Sequence, residues 1–573
     1  MENIENIRII VELLKQNNIR QIVISPGGTN IPFVKAVQDD NFFTCYSVVD
    51  ERSAIYFAIG LYLQTGEIIA TSCTSAQATR NYIPGLTEAY YKKVPILAIT
   101  MAKHPRFTYQ EYMQAPDQTS LPKDSVKESY MLPFISRKED LFHSIRLVNE
   151  AIQMLTFDGN GPVQICVPWL DFELDKSNVS IKKIDTLYVE NEWAVDFKEK
   201  KIMIVIGEHI RFDGETKKSI DEFCETNNAI VYTNHLSNFC NRFSVNGNLL
   251  LSVMESEIFE NYAPDVLITI GGQTGDYPLY NMLSQGKFKN IEHWRVSEDG
   301  RIVDTYDKLT KVFKCSEKTF FERMKRKENT EHSYFDLWNK AVKKLNLQMA
   351  LPFSNASIAQ YLCEKIPPNS IMQFSILNSL RIWNFFQINP NIECFSNVGA
   401  FGIDGGMSTL IGQSIVSEKL SYMIIGDLAF LYDINSISIR HIKPNLRILL
   451  VNNNGGIEFK YSKSDNDKIN RYIAAGNHFK NAQGWAETCG FKYIKADSMD
   501  EFVKNSKCIL EESERPIIFE IFVSDIDEAE AYEIIINNNK IMTASTMIKQ
   551  ELKATMKDIL GENRVKKIKN ILK

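Results

Sequence analysis

Residues 420–459 read LSYMIIGDLAFLYDINSISIRHIKPNLRILLVNNNGGIEF and decide the fold by joining two hydrophobic strands through a helix. Each strand is a continuous apolar run, and each ends in polar residues and glycine, first at Gly426-Asp427 and then at 452–456, NNNGG. Such runs are typical of parallel strands that are buried on both faces of a sheet. The segment from Leu431 to Arg440 predicts the connecting helix, so the stretch is a strand–helix–strand unit.

The two strand ends carry side chains that suit a metal ion. In open parallel sheets ligands bind at the carboxyl ends of the strands, so we expect Asp427 to lie near the asparagine run. A carboxylate, an amide oxygen and a backbone carbonyl form a hard-oxygen set that suits Mg²⁺, which often binds together with phosphates. The glycines allow the backbone to approach a diphosphate closely. The sequence therefore predicts a metal and diphosphate site at this edge of the sheet.

The alternation of strands and helices continues along the chain and predicts three α/β units, each with a doubly wound parallel sheet. The units span residues 1–180, 195–330 and 350–540. A polar stretch without periodicity at 171–195 predicts a linker between the first two units. Residues 541–573 predict an amphipathic helical tail that is basic at its end. A solvated surface helix is the ordinary interpretation of this tail, and a helix for a partner or a membrane surface is the alternative.

Composition limits the classes of function. The chain has 573 residues, of which 44% are hydrophobic and 24% charged, and this composition is typical of a globular protein with several domains. The formal net charge of −6 leaves no basic excess for nucleic-acid phosphates, so we expect no nucleic-acid partner. The ten cysteines are scattered without a C-x-x-C pair, as expected for reduced thiols in a cytoplasmic protein. No apolar run is long enough to form an integral membrane segment.

Four further motifs stand in order along the chain: ISPGGTNIPF at 24–33, VVDERSAIYFAIGL at 48–61, CTSAQATRNYIPGLTEAYYKKVPILAIT at 73–100 and SNVGAFGIDGGMSTLIG at 396–412. With the Asp427 and Asn453 motifs, they resemble the thiamine-diphosphate-dependent enzymes. Leu428 stands where most of those enzymes have glycine, and this variant resembles the menaquinone-pathway branch, 2-succinyl-5-enolpyruvyl-6-hydroxy-3-cyclohexene-1-carboxylate (SEPHCHC) synthase. The resemblance covers nearly the whole chain.

The resemblance implies a thiamine-diphosphate-binding fold, with thiamine diphosphate and Mg²⁺ as cofactors. Residues 1–180 would be the pyrimidine-binding domain, 195–330 the central domain and 350–540 the diphosphate- and metal-binding domain. Because the two ends of the cofactor belong to different subunits in that family, the resemblance also implies a homodimer or homotetramer. The glycine-rich GGQTG at 271–275 alone assigns no ligand to the central domain.

The resemblance assigns roles to individual residues as well. Glu51 matches the catalytic glutamate that hydrogen-bonds the aminopyrimidine ring, and such a group works when burial keeps it protonated near neutral pH. Asp427, Asn453 and the carbonyl of Gly455 match the metal ligands. Ile403 matches an apolar residue that holds the cofactor bent, although an ordinary core position explains it equally well. The other cofactor-binding candidates adjoin the metal ligands in sequence: Gly426, Leu428, Ala429, Gly456, Ile457 and Glu458.

The substrate side departs from the resemblance. SEPHCHC synthases hold anionic substrates with arginines, which suit paired recognition of carboxylates. Each charged hydrogen bond that is removed costs about 1.5–3 kcal/mol, so we expect this chain to bind a dicarboxylate weakly. Three candidate substrate residues replace such arginines, a fourth lies near another, and a fifth matches a glutamine that lines the substrate site: Thr29, Trp383, Val398, His104 and Gln114.

Several functions remain open at this point. The first hypothesis is a carboligase that decarboxylates a 2-oxo acid donor and transfers its acyl unit to a carbonyl or activated-alkene acceptor, for example in specialised or sugar metabolism. SEPHCHC synthase and a simple 2-oxo acid decarboxylase are alternatives with related chemistry. A catalytically silent cofactor-binding subunit is an alternative of another class, and the retention of Glu51 together with the metal set weighs against it.

Overall fold

The computed structural model describes residues 4–169, 184–193, 195, 197–284, 288, 290–326, 331–459 and 472–543. These residues form three parallel sheets, with strand orders β2-β1-β3-β4-β6-β5, β10-β9-β8-β11-β12-β13-β7 and β15-β14-β16-β17-β19-β18. The strands are β1 Gln21–Ile24, β2 Thr44–Ser47, β3 Ile69–Cys73, β4 Ile96–Lys103, β5 Ser129–Met131, β6 Val163–Trp169, β7 Asp185–Tyr188, β8 Ile202–Ile206, β9 Ala229–Tyr232, β10 Ser244–Val245, β11 Val266–Ile270, β12 Glu292–Val296, β13 Leu309–Lys314, β14 Ile371–Phe374, β15 Glu393–Ser396, β16 Ser421–Gly426, β17 Leu446–Asn452, β18 Lys492–Ala496 and β19 Ile517–Phe522.

Helices connect the strands, as parallel pairing requires. They are α1 Ile4–Gln16, α2 Ile31–Val37, α3 Glu51–Thr65, α4 Gln77–Asn81, α5 Ile83–Tyr91, α6 Lys138–Met154, α7 Gly214–Thr226, α8 Asn248–Val253, α9 Ser256–Tyr262, α10 Tyr277–Leu283, α11 Glu317–Met324, α12 Ser333–Val342, α13 Asn355–Leu362, α14 Asn378–Trp383, α15 Gly406–Ile415, α16 Asp427–Tyr432, α17 Gln483–Thr488, α18 Met499–Asn505, α19 Lys507–Leu510 and α20 Asp525–Asn538. The prediction of three α/β units with doubly wound parallel sheets is confirmed.

Two predictions about individual segments were wrong. Of the linker expected at 171–195, residues 171–183 and 194 lie outside the described residues, and the remaining part contains β7, which pairs with β13 at the edge of the central sheet. An edge strand pairs on one side, and the residues of β7 are half-buried or exposed, so the strand lacks the continuous apolar run of a central strand. The helix expected from Leu431 to Arg440 is instead divided into α16, which ends at Tyr432, and a 3-10 helix, Ile434–Ser438. The break falls at Asp433, which leaves helical geometry and accepts hydrogen bonds from Ser408.

Hydrophobic contacts join the three units. Ile473 and Ala474 of the third unit belong to the same buried cluster as β1 and α2 of the first unit. Another cluster combines residues of the central and third units. At that junction, a Cβ atom on Gly275 would lie 3.1 Å from Leu380 and 3.3 Å from Val398. Gly275 also has φ +63°, so the glycine-rich loop has a structural reason for lacking a side chain here.

Among the residues just given, no helix combines the length and the apolar character needed to cross a membrane. The last described residues, 541–543, follow α20, and Ile541 forms a bridge with Met254. The predicted helical tail at 541–573 therefore lies, from residue 544 onward, outside the described residues.

Candidate active site

One cavity lies at the carboxyl ends of β16 and β17 and reaches the first unit. About 1120 Å³ of empty space lies between its walls, a figure that includes open solvent at its mouth. All of the predicted cofactor-binding residues line it: Glu51, Ile403, Gly426, Asp427, Leu428, Ala429, Asn453, Gly455, Gly456, Ile457 and Glu458. The structure thus brings residues of the first and third units to one cavity within a single chain.

At one end of the cavity, the two strand ends meet through Asp427. Its Oδ2 atom accepts a hydrogen bond of 2.8 Å from the backbone N–H of Gly455, and its Oδ1 atom accepts one of 2.8 Å from Leu428. The side-chain oxygen of Asn453 is buried and has no hydrogen-bond partner among the residues that the structure describes. A buried amide oxygen that lacks a partner needs an explanation, and an ion next to it is one. The donor types here fit Mg²⁺.

The glycine at position 455 is required by the backbone. Its φ is +134°, and a Cβ atom there would lie 2.6 Å from the carbonyl oxygen of Ala474. Any side chain would collide with this backbone atom and also demand an unfavourable conformation. The close approach of the two backbone segments gives the asparagine–glycine loop its shape at the cavity wall.

At the other end of the cavity, Glu51 occupies the first turn of α3, and only 3% of its surface is exposed. The preceding residue, Asp50, caps the helix by accepting a hydrogen bond of 3.0 Å from the backbone N–H of Arg52. Burial raises the pKa of Glu51 to about 8 because the charged form loses its hydration. The amide of Asn81 donates to its Oε2 atom at 3.3 Å. Glu51 is therefore a protonated acid at neutral pH.

Tyr432 is a site residue that the sequence reasoning missed. Its hydroxyl lies 3.0 Å from Oε1 of Glu51 and also contacts the carbonyl oxygen of Val49. The carbonyl oxygen of Val49 can only accept a hydrogen bond, so the Tyr432 hydroxyl donates its proton to it. A lone pair of the hydroxyl oxygen then remains to accept a hydrogen bond from protonated Glu51. Tyr432 ends the same short helix that Asp427 begins, so α16 connects the two ends of the cavity. The sequence carried no signal for this role, because the contact joins residues that are 381 positions apart and belong to different units.

The candidate substrate residues divide into two groups. Gln114 lines the cavity, and it also lines an adjoining groove together with Thr29. The hydroxyl of Thr29 is held by Thr74 at 2.8 Å. This groove contains several aromatic side chains and one cationic residue: Lys103, Tyr112, Trp169, Tyr277 and Tyr280.

The structure does not bring His104, Trp383 or Val398 to the walls of the cavity or the groove. Trp383 is fully buried, and its indole N–H donates to the side-chain oxygen of Asn355 at 3.1 Å. Val398 is fully buried at the junction with the central unit. His104 accepts a hydrogen bond from the backbone of Arg106 in a surface turn. Two of the arginine replacements therefore became part of the hydrophobic core.

Glu458 lines the cavity, and its carboxylate forms two hydrogen bonds with the guanidinium of Arg381, of 2.9 and 2.8 Å. Among the described residues, the cavity walls carry four carboxyl groups and no lysine, arginine or histidine: Glu51, Asp404, Asp427 and Glu458. A diphosphate in this cavity would therefore obtain little charge compensation from these side chains, so a metal ion would be needed to neutralise it.

The chain is similar to several known proteins. A sequence family described as thiamine pyrophosphate enzyme, N-terminal TPP binding domain, matches residues 6–121. The 2-succinyl-5-enolpyruvyl-6-hydroxy-3-cyclohexene-1-carboxylate synthases of Bacteroides thetaiotaomicron and Phocaeicola vulgatus are each 32% identical to this chain. The alignments cover 90% of this chain and 96% and 95% of those proteins, respectively. A solved thiamin diphosphate-dependent enzyme structure from Mycobacterium smegmatis aligns over 91% of this chain and 99% of its own, with 16% identity and a TM-score of 0.42.

Proposed function

Because the chain belongs to the thiamine-diphosphate-dependent enzyme family that includes the SEPHCHC synthases, we propose that it uses thiamine diphosphate and Mg²⁺ to decarboxylate a 2-oxo acid and transfer the acyl unit to an acceptor. The acceptor would be a carbonyl compound or an activated alkene. The observation that carries this proposal is the meeting of Glu51 with the set of Asp427, Asn453 and Gly455 around one cavity.

The cofactor would be held at its two ends by different units. Asp427, the unpartnered oxygen of Asn453 and the carbonyl of Gly455 would bind Mg²⁺ and, through it, the diphosphate. Residues 350–540 would accordingly be the diphosphate-binding domain, residues 1–180 the pyrimidine-binding domain and residues 195–330 the central domain. When bound, thiamine diphosphate supplies a carbon nucleophile and an electron sink for cleavage of a bond next to a carbonyl.

Glu51 would act as a proton donor and acceptor toward the cofactor ring. Its burial supports this role, because a carboxyl with a pKa of about 8 holds a proton at neutral pH and can exchange it with a basic ring nitrogen. Asn81 and Tyr432 would fix its two oxygens, since each contacts a different one. Ile403, a partly buried apolar residue of the cavity wall, would shape the space between the two ends.

SEPHCHC synthase itself is the second candidate function. It is supported by the 32% identity over nearly the full length of the relatives. The name of that product includes a succinyl, an enolpyruvyl and a carboxylate group, so the enzyme handles several negative charges. The carboxyl-rich cavity and the burial of Trp383 and Val398 support a less anionic substrate pair for this chain.

The test is a product analysis of purified protein loaded with thiamine diphosphate and Mg²⁺. A panel of 2-oxo acids, with and without aldehyde, ketone and cyclohexadiene-carboxylate acceptors, is analysed for released CO₂ and by mass spectrometry. We expect CO₂ and an acceptor-linked product. Release of CO₂ with an aldehyde as the only product would indicate a simple decarboxylase, and no turnover of any acid would contradict the proposal.

We also propose that the protein is oligomeric. The resemblance implies a homodimer or homotetramer, whereas the cavity already contains residues from both the first and third units of one chain. A complementation assay distinguishes a site shared between subunits from a site that belongs to one chain. Mixing of Glu51→Gln and Asp427→Asn proteins restores activity in hybrid oligomers if subunits share the site, and restores none if each site belongs to one chain.

A further inference from the structure

Three residues of the cavity wall carry a buried polar side-chain atom that has no hydrogen-bond partner among the described residues: Ser75, Asn355 and Asn453. The atom of Asn453 is the oxygen proposed above as a metal ligand, and the hydroxyl of Ser75 can either donate or accept. The atom of Asn355 is the amide nitrogen Nδ2, which can only donate. A ligand group that pairs with Asn355 must therefore be an acceptor.

The orientation of the Asn355 amide is fixed by Trp383. The Oδ1 atom of Asn355 accepts a hydrogen bond of 3.1 Å from the indole N–H of Trp383. An indole N–H can only donate, so it requires the oxygen branch of the amide and leaves the nitrogen branch for another partner. Asn355 is 1% exposed and Trp383 is fully buried, so bulk solvent does not compete for this contact.

The buried carboxyl group beside Asn355 does not use the Nδ2 donor. Oε1 of Glu528 accepts from the backbone N–H of Asn355 at 2.6 Å, and Oε2 accepts from the side-chain nitrogen of Asn378 at 3.5 Å. Burial raises the pKa of Glu528 to about 7, and the nearby charge of Asp427 acts in the same direction. These contacts place Asn355 at the Asp427 end of the cavity, where the proposed metal ligands lie.

The acceptor expected at this end of the cavity is the diphosphate. Among the described residues, its walls carry no lysine, arginine or histidine, so phosphate oxygens outside the metal ion's coordination would need neutral donors. Hydrogen bonds to a charged oxygen are stronger than those between neutral groups. An unpaired buried donor is costly, and a phosphate oxygen that accepted from Nδ2 would remove that cost.

We propose that the side-chain amide of Asn355 donates a hydrogen bond to an oxygen of the diphosphate, and that Trp383 holds the amide in the donating orientation. The inference rests on the proposed function, because it adds a binding residue to the diphosphate end of the same cavity. Trp383 does not line the cavity, and it acts on the ligand through Asn355. It is therefore a positioning residue.

The experiment uses inorganic pyrophosphate with Mg²⁺, which has the diphosphate group without the rings of the cofactor. Calorimetry gives its dissociation constant for the native chain, Asn355→Ala and Asn355→Leu, and leucine fills the space that alanine leaves open. We expect the constant to rise by on the order of tenfold or more in both variants, because a hydrogen bond to a charged oxygen is lost. Trp383→Phe keeps the donor, so it should raise the constant less and add nothing to Asn355→Ala in the double variant.

Asn248→Ala is the matched control. Asn248 begins α8 as Asn355 begins α13, is 2% exposed, and has one buried amide atom without a partner in the described part of the chain, outside the cavity wall. The control should leave the dissociation constant for pyrophosphate unchanged. An unchanged constant in both Asn355 variants, an equal rise in the control, or no binding of pyrophosphate by the native chain overturns the inference. Additive rises in the double variant overturn the positioning role of Trp383.

Turnover assays with thiamine diphosphate and Mg²⁺ separate this inference from the proposed function. Weaker pyrophosphate binding in the Asn355 variants, together with no turnover of any 2-oxo acid by the native chain, would contradict the proposed function and leave the inference standing. Turnover by the native chain, together with native pyrophosphate affinity in both Asn355 variants, would overturn the inference and leave the proposed function standing.

Discussion

The two ends of the cavity each contain a buried carboxyl group, and they place it in different surroundings. Glu51 is 3% exposed and Asp427 is 2% exposed, so burial alone does not distinguish them. Two backbone N–H groups donate to Asp427, an arrangement that suits a carboxylate and a metal ligand. Glu51 instead meets one side-chain amide and a phenol, and burial keeps it protonated. One cavity can therefore provide a metal ligand and a proton donor from the same functional group.

The largest effect on activity is expected at the Glu51 end of the cavity. Glu51→Gln removes the transferable proton and keeps the shape, so we expect the rate of CO₂ release to fall by about 10²–10⁴-fold. Steady-state assays with the preferred 2-oxo acid measure this fall. Glu208→Gln is the matched control, because burial raises the pKa of Glu208 as well, in the central unit and outside the cavity. An equal loss in both variants would show that the effect comes from folding.

At the Asp427 end of the cavity, we expect a substitution to weaken metal binding. Asp427→Asn removes the charge of the proposed metal ligand, so we expect the apparent affinity for Mg²⁺ with thiamine diphosphate to fall by at least the roughly 10–100-fold that the loss of an outer-shell partner costs. Calorimetric titration of the cofactor at fixed Mg²⁺ provides the measurement. Glu51→Gln should change this metal dependence much less than Asp427→Asn does. If the two variants lost metal affinity equally, the assignment of different tasks to the two ends would be wrong.

The proton on Glu51 predicts a pH dependence of stability. The folded, cofactor-free chain keeps the proton up to a pKa of about 8, whereas the unfolded chain releases it near the ordinary value of 4.5. Since the folded state binds more protons in this window, stability falls as the pH rises from 4.5 to 8. Between pH 6 and 8 this group contributes a loss of about 2 kcal/mol in the free energy of unfolding.

Urea unfolding of the native chain and Glu51→Gln at the two pH values tests this contribution. The variant should lose less stability than the native chain over the same interval. The charged and titratable groups around Glu51 are shared by both proteins, so they cancel in the comparison: Asp50, Cys73, Tyr82, Asp404 and Tyr432. The same pH slope in both proteins would contradict the protonated state of Glu51.

The smallest expected effect concerns the contact that links the two ends. Tyr432→Phe removes the hydroxyl beside Glu51, and we expect a loss of about 1 kcal/mol in stability together with a shifted pH profile of kcat. Tyr422→Phe is the control, because its hydroxyl is also buried and donates to a backbone carbonyl, that of Ile509, at 2.9 Å. The control should lose similar stability and keep the pH profile. A shift in both profiles would exclude a positioning role for Tyr432.

The sequence predicted the features that depend on strand ends. Asp427 and Asn453 follow hydrophobic strands of one parallel sheet, and topology alone brings such ends together. Tyr432 could not be predicted in this way, because its contact with Glu51 joins residues that are 381 positions apart and belong to different units. The edge strand β7 was missed because its residues are only partly buried.

The substrate side was the least predictable part. A resemblance indicates which positions correspond to substrate arginines, but it does not indicate where a different side chain at that position will point. Trp383 found a hydrogen-bond partner in the core, and Val398 packed against the glycine-rich loop of the central unit. Burial in the core stabilises a large apolar side chain, so a tryptophan or valine at such a position need not lie where an arginine would contact a substrate.

The most direct test of the account is the exchange of the reactive thiazolium proton of bound thiamine diphosphate, measured by NMR after transfer to deuterium oxide. With Mg²⁺ and the native chain, we expect exchange far faster than in free thiamine diphosphate, and a strong decrease in this rate in Glu51→Gln. Exchange no faster than in the free cofactor, or an undiminished rate in Glu51→Gln, would contradict the claim that the two ends of this cavity bind and activate one cofactor.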